Sequence, residues 1–148
     1  MLVTKYFLAL IGTTYPATLL YLSSGVGFVI VPGSSAYSIM KLADLQLAAF
    51  ASAENSNVTA IAFHPGIVFT DMVANVEFFQ QFAKDTPRLA GSAVNWLVSA
   101  QAAFLSGRYV SAHWDVEEIL ARKEEIVEKN LLTVRLNGLE GQTAAVKG

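Results

Sequence analysis

Two short apolar runs, residues 18–24 (Thr-Leu-Leu-Tyr-Leu-Ser-Ser) and residues 58–63 (Val-Thr-Ala-Ile-Ala-Phe), stand on either side of a helical stretch at 36–52. Runs of this length that close on small polar residues or on Pro65-Gly66 read as strands buried on both faces. A helix between two such strands carries the chain back to the edge it started from, so the strands are parallel. The pattern repeats once. Thr86-Pro87 reads as an N-cap with proline at the first helical position, opening a helix to about residue 105, and residues 108–112 form a third strand. Residues 1–10 read as the end of a helix. The helix at 36–52, capped by Ser34 or Ser35, is apolar almost all round through Ile39, Met40, Leu42, Leu45 and Phe50. That predicts burial on more than one side. The 70–85 segment is irregular, with a short amphipathic stretch at 76–82. Asp115-Val-Glu-Glu118 is a capping box for a charged helix to about residue 129. Residues 131–136 read as a last strand or extended tail, and 138–148 as a small, polar, disordered tail.

The chain has 148 residues, enough for one domain with a fair core. Hydrophobic residues make up 53% and charged residues 15%, and mean hydropathy is +0.44. Such a chain either holds a membrane segment or is meant to be covered by something else. Residues 1–22 carry one charge, Lys5, but Pro16 and Gly12-Thr-Thr interrupt the run short of the ~20 residues a spanning helix needs. A membrane anchor is therefore the least favoured reading. The net charge of -2 argues against nucleic acid. Cysteine is absent, which excludes disulfides and thiolate chemistry, and two isolated histidines, His64 and His113, make no metal centre. Packing is the expected role of His113 and Trp114, and a turn that of His64.

Chemistry concentrates at the ends of the strands, where α/β proteins place ligands. Tyr37 and Lys41 stand four apart at the start of a helix and so share a face. An ammonium close to a phenol favours the phenolate, which turns the ring into a usable acid–base group. Ser24, thirteen positions before Tyr37, follows the first strand and can hold a substrate oxygen. Ser23 is its obvious rival. Pro65-Gly66-Ile67-Val68-Phe69-Thr70 follows the second strand and lets backbone approach a ligand closely. A serine hydrolase is excluded, because Leu22-Ser-Ser-Gly-Val26 is no Gly-x-Ser-x-Gly elbow.

The ordered set Ser24, Tyr37-x-x-x-Lys41 and Pro65-Gly66-x-x-x-Thr70, closed by Asp71-Met72, resembles the C-terminal half of the short-chain dehydrogenase/reductase family over about residues 1–136. The resemblance implies a partial Rossmann-type, doubly wound parallel α/β sheet of three to four strands. It also implies an NAD- or NADP-dependent oxidoreductase that moves hydride between an alcohol and a carbonyl. Ser24, Tyr37 and Lys41 would be catalytic. Tyr37, Lys41, Pro65, Gly66, Val68 and Thr70 would meet the cofactor, with no metal involved. Residues 73–85 would form a substrate lid, and the location would be cytoplasmic. Ser24 is chosen over Ser23 on the family's spacing. The Tyr37 helix would pair with its copy in a homo-oligomer.

One part of the family pattern is missing. Gly25-Val-Gly27 is the only Gly-x-Gly, and Phe28-Val-Ile30 follows it rather than a helix start, so it is not the dinucleotide fingerprint. The pyrophosphate turn and the asparagine of the family's catalytic tetrad are expected upstream of Met1. Without them the chain alone is expected to bind NAD(P)H weakly and to associate through an unpaired strand edge. The rival reading is a catalytically inactive remnant that acts as an interaction module.

Overall fold

The computed structural model describes residues 2–136. Its centre is a parallel three-stranded sheet in the order β1 (Ala17–Leu22), β2 (Val58–His64), β3 (Tyr109–Ser111). β1 pairs with β2 from Ala17↔Val58 to Leu22↔Phe63, and β2 with β3 from Ala62↔Tyr109 to His64↔Ser111. The expected mixed α/β architecture with parallel strands is what forms.

β2 carries the core on both faces, as its alternating side chains require. Ile61 and Phe63 point into a cluster with Leu97, Leu105, Val110, Ile119 and Ile126. On the other face Ala60 and Ala62 meet the long helix α2 (Ser35–Glu54) through Ala51, Ala48 and Leu45. Alanine at these β2 positions lets the helix lie close to the sheet. Ser106 ties the layers together: its hydroxyl accepts from the Ala60 N–H at 3.0 Å and donates to Ser52 Oγ at 2.7 Å.

β1 departs from expectation. It is half-buried rather than enclosed, because among the described residues only β2 pairs with it and its other flank has no strand partner. Helix α1 (Leu2–Ile11) precedes it, closed by Gly12 at φ +59°. Asn57 pins that turn by donating to the Gly12 and Tyr15 carbonyls at 3.1 and 2.7 Å. The expected burial of α2 on more than one side is also corrected. Leu45, Ala48 and Ala51 are buried, whereas Ile39 (66% exposed), Met40 and Phe50 face outward.

Short helices α3 (Asp71–Ala74) and α4 (Glu77–Gln80) occupy the irregular segment. Helix α5 (Pro87–Leu97) starts as read, with Thr86 Oγ1 accepting from the Leu89 N–H. It stops early, however, and a 3-10 turn covers Ala100–Leu105. Leu97 and Ala102 both enter the core, yet five residues of α-helix turn through roughly 500°, about 140° off a common face. The extended backbone at Ser99 breaks the helix and brings both side chains inward. The charged helix is likewise two pieces, α6 (Val116–Ala121) and α7 (Lys123–Glu128), meeting at Arg122. Asp115 caps the first by accepting from Glu117 N and Glu118 N.

Residues 131–136 are not a strand. Asn130 and Leu132 take positive φ, and a single bond from the Tyr109 N–H to the Leu132 carbonyl joins this stretch to β3. The expected polar tail lies outside the described residues.

Packing between Ala60 and α2 leaves no room for a longer side chain. Ala60→Leu is expected to lower stability by about 1–3 kcal/mol, read as a lower urea midpoint at unchanged slope.

Candidate functional site

A cleft of about 680 Å³ opens at the C-terminal ends of β1 and β2. Three segments wall it: the loop after β1 with the first turn of α2, the loop after β2, and helices α3 and α4.

The two serines after β1 divide their work. Ser23 is buried (3% exposed); its N–H donates to the Phe63 carbonyl, and its hydroxyl donates to the Lys41 carbonyl at 2.8 Å. That fastens the strand end to α2. Ser24, in extended backbone, makes no side-chain cap to the turn that follows, and it lines the cleft. Gly25–Gly27 then forms a 3-10 turn. A Cβ on Gly27 would sit 3.0 Å from the Leu42 nitrogen and the Lys41 carbonyl carbon, so glycine there serves close packing on α2.

Tyr37, in the first turn of α2, lines the same cleft at 37% exposure. Lys41 sits one turn later, with Nζ 5.7 Å from the Tyr37 ring centroid. Its ammonium points the other way, donating to the Leu22 carbonyl and pairing with Asp44 Oδ2 at 3.1 Å. Lys41 therefore borders a second hollow of about 420 Å³ between α1 and β1, and is not part of the cleft wall. Ser24, Tyr37, Pro65, Gly66, Val68 and Thr70 all come together, and Lys41 stands behind them with only its charge near the phenol ring.

The loop after β2 is held by a residue that its sequence context does not single out. Gly66 takes φ +89°, and a Cβ there would lie 2.6 Å from Asp85 Oδ2. That carboxylate accepts from the Ile67 N–H at 2.6 Å, and Asp85 forms an isolated parallel bridge with Val68. His113, just past β3, completes the brace with Nε2 2.9 Å from both Asp85 oxygens. His113 is therefore more than packing. Trp114 does pack, edge-on to Tyr109. Asp85 precedes the cap of α5 and looks like the end of a loop, and no local spacing connects it to Gly66 or His113.

Electrostatics follow the geometry. Burial raises the Asp85 carboxyl, but the Ile67 N–H, the His113 hydrogen bond and the charges of His113 and His64 outweigh it and hold the group below the usual carboxylate value. Burial is the main reason that His64 lies below its ordinary value. The charge of His113 adds to this, against the opposing pull of Asp85 and the nearby Ser23 backbone. His64 Nδ1 has no hydrogen-bond partner and its ring borders the cleft. Among the described residues no group of three His, Cys, Asp or Glu is placed to hold a metal ion. No helix among them is long and apolar enough to cross a membrane.

For a nicotinamide cofactor the fit is partial. The tight Gly66 turn, the backbone at Val68 and the wall at Ser24 and Tyr37 suit the flat nicotinamide end. The cleft wall has no lysine or arginine, and among the described residues no glycine-rich turn leads from a strand into a helix to receive a pyrophosphate.

Comparison with curated proteins gives these residues a family. Short chain dehydrogenase mpl6 of Monascus purpureus is 38% identical over 138 residues, covering 91% of this chain and 47% of that protein. The chain belongs to the short-chain dehydrogenase family. Short chain dehydrogenase citE of Monascus ruber matches over the same extent, and andI of Emericella variicolor is 37% identical over 72% of this chain and 38% of its own. The chain spans about half the length of the curated relatives it matches, and no family model matches it.

Two predictions follow from the brace and its neighbour. Asp85→Ala removes a bond from a charged acceptor, typically about 1.5–3 kcal/mol, so exchange of the Ile67 amide should accelerate roughly ten- to a hundredfold by NMR. Because the folded-state value of His64 is lowered, its effect is absent above the ordinary value of 6.5, and stability is lost as pH falls through 6.5 toward the lowered value. Thermal melts between about pH 7.5 and about pH 5.5 should show this loss, and His64→Gln should flatten it.

Proposed function

We propose that this chain is the C-terminal, catalytic half of a Rossmann-type, NAD- or NADP-dependent short-chain dehydrogenase/reductase acting on an alcohol–carbonyl pair. The observation that carries this reading is the meeting of Ser24 and Tyr37 in one cleft, closed by the 65–70 loop. Its family relatives, named short chain dehydrogenases, support it.

In this reading Ser24 donates a hydrogen bond to the substrate oxygen and orients the carbonyl. Tyr37 gives its phenolic proton to that oxygen in reduction and takes it back in oxidation. The Lys41 ammonium lies beside the ring on which negative charge develops, and so favours the transfer in either direction. Bound NADH or NADPH supplies the hydride, and with it the two electrons, for the carbonyl carbon. Pro65, Gly66, the Val68 backbone and Thr70 hold the nicotinamide end, while Tyr37 and Lys41 meet its ribose. For Lys41 to meet that ribose, its half-buried ammonium would have to leave the Leu22 carbonyl and Asp44. The outward apolar face of α2, with Ile39, Met40 and Phe50, suits pairing with a second copy.

The test is Tyr37→Phe in a protein that joins this chain to an upstream cofactor-binding half. Turnover of NAD(P)H against ketones should fall about 10²- to 10⁴-fold, with KM little changed. Unchanged turnover would instead leave an association module. Titrated with NADH or NADPH, the 148-residue chain alone should show weak or no fluorescence change, and a clean micromolar isotherm from a monomer would contradict this.

A further inference from the structure

The cleft's wall says what kind of molecule fits beside the reacting oxygen. Among the described residues it contains no aspartate, glutamate, lysine or arginine, and its titratable side chains there are Tyr37 and His64. A carboxylate or phosphate seated there would lose its hydration with no cationic side chain in that wall to replace it, and the Lys41 ammonium behind Tyr37 is engaged by the Leu22 carbonyl and Asp44. Ser24 and Tyr37 bring hydroxyls to the cleft, while much of the rest of its lining is apolar, including Val29 and Val31 of the loop before α2 and Met72 and Val76 of the lid segment.

Three phenylalanines distinguish this wall from a generic apolar one. Phe78 packs edge-on to Phe79 with centroids 5.2 Å apart, and is tilted against Phe82 at 5.5 Å. All three line the cleft, yet Phe78 and Phe82 remain 50% and 48% exposed. A cluster of partly exposed aromatic rings lining a cavity is complementary to another ring. The cleft of about 680 Å³ is shared in this reading between the nicotinamide end of the cofactor and the substrate, and it is of the size that encloses drug-sized ligands.

We propose that the cleft takes an uncharged aromatic ketone, or the matching alcohol, with its ring system on the Phe78–Phe79–Phe82 shelf and its oxygen toward Ser24 and Tyr37. This substrate class rests on the oxidoreductase reading above, but it is tested by binding rather than turnover. The lid is the specificity element, and phenylalanine at 78 and 82 selects for flat aromatic bodies over small aliphatic ones.

The probes are 2-acetylnaphthalene and 2-naphthoate, which share a ring system and differ in charge. They are titrated into the 148-residue chain by NMR, with and without NADPH. The neutral ketone is expected to bind and to shift the signals of Ser24 and the lid. The carboxylate should bind roughly tenfold or more weakly. Phe78→Ala/Phe82→Ala alters two exposed side chains and should weaken the ketone roughly tenfold while leaving the melting temperature nearly unchanged. Equal binding of the two probes, no binding of either, or unchanged ketone affinity in the double variant would each overturn the proposal. If the double variant changes the sedimentation coefficient and leaves ketone binding alone, the rings are a self-association face and the proposal also fails. Retained turnover in Tyr37→Phe, by contrast, would remove the catalytic reading and leave the binding result standing.

Discussion

Burial of β2 on both faces is the constraint from which the rest of the molecule follows. Ile61 and Phe63 anchor one layer of helices, and Ala60 and Ala62 admit α2 on the other side. A strand enclosed in this way cannot slip by one residue without driving Ile61 and Phe63 into α2, where only Ala60 and Ala62 fit, so its register with β1 and β3 is set. The register in turn fixes where β1 and β2 end, and those two ends frame the cleft. Ser23 transmits the alignment most directly, joining the Phe63 carbonyl and the Lys41 carbonyl through its own backbone and hydroxyl.

The site is assembled from parts held with very different firmness. Ser24 and Tyr37 sit beside the core, on a strand end and a helix start that are tied together. The Gly66 loop has no strand or helix of its own and depends on the Asp85 carboxylate for its shape, with His113 behind it. The segment of α3 and α4 consists of two four-residue helices that bury little beyond Val73. The cleft wall thus grades from a firmly held strand end and helix start to a thinly packed cover.

The unpaired flank of β1, the hollow where Lys41 meets Leu22, and the bare apolar face of α2 share one feature. Each leaves apolar or unpaired surface open among the described residues. Hydrophobic residues are plentiful because the described residues leave several apolar faces open, including Ile39, Met40 and Phe50 on α2.

Much of this was legible from local pattern. The apolar run of residues 58–63, the Thr86-Pro87 start and the helix that carries Tyr37 and Lys41 depend on the geometry of neighbouring residues, and each of these elements appears where its pattern placed it. Ser24 is preferred to Ser23 on the resembled family's spacing; both line the cleft, and the Ser23 hydroxyl is engaged by the Lys41 carbonyl. The errors were of one kind. The sequence could not show that α5 must break to send both Leu97 and Ala102 inward, or that α2 would have an open side. Sequence alone determined the three strands, the long helix between the first two, their order and which residues stand at the strand ends, because those depend on short-range periodicity. Only the tertiary structure decided that Asp85 and His113 clamp Gly66, that Lys41 turns toward Leu22 and Asp44, and that three phenylalanines roof the cleft. Those contacts join residues distant in sequence or turn on side-chain direction, and no local pattern encodes either.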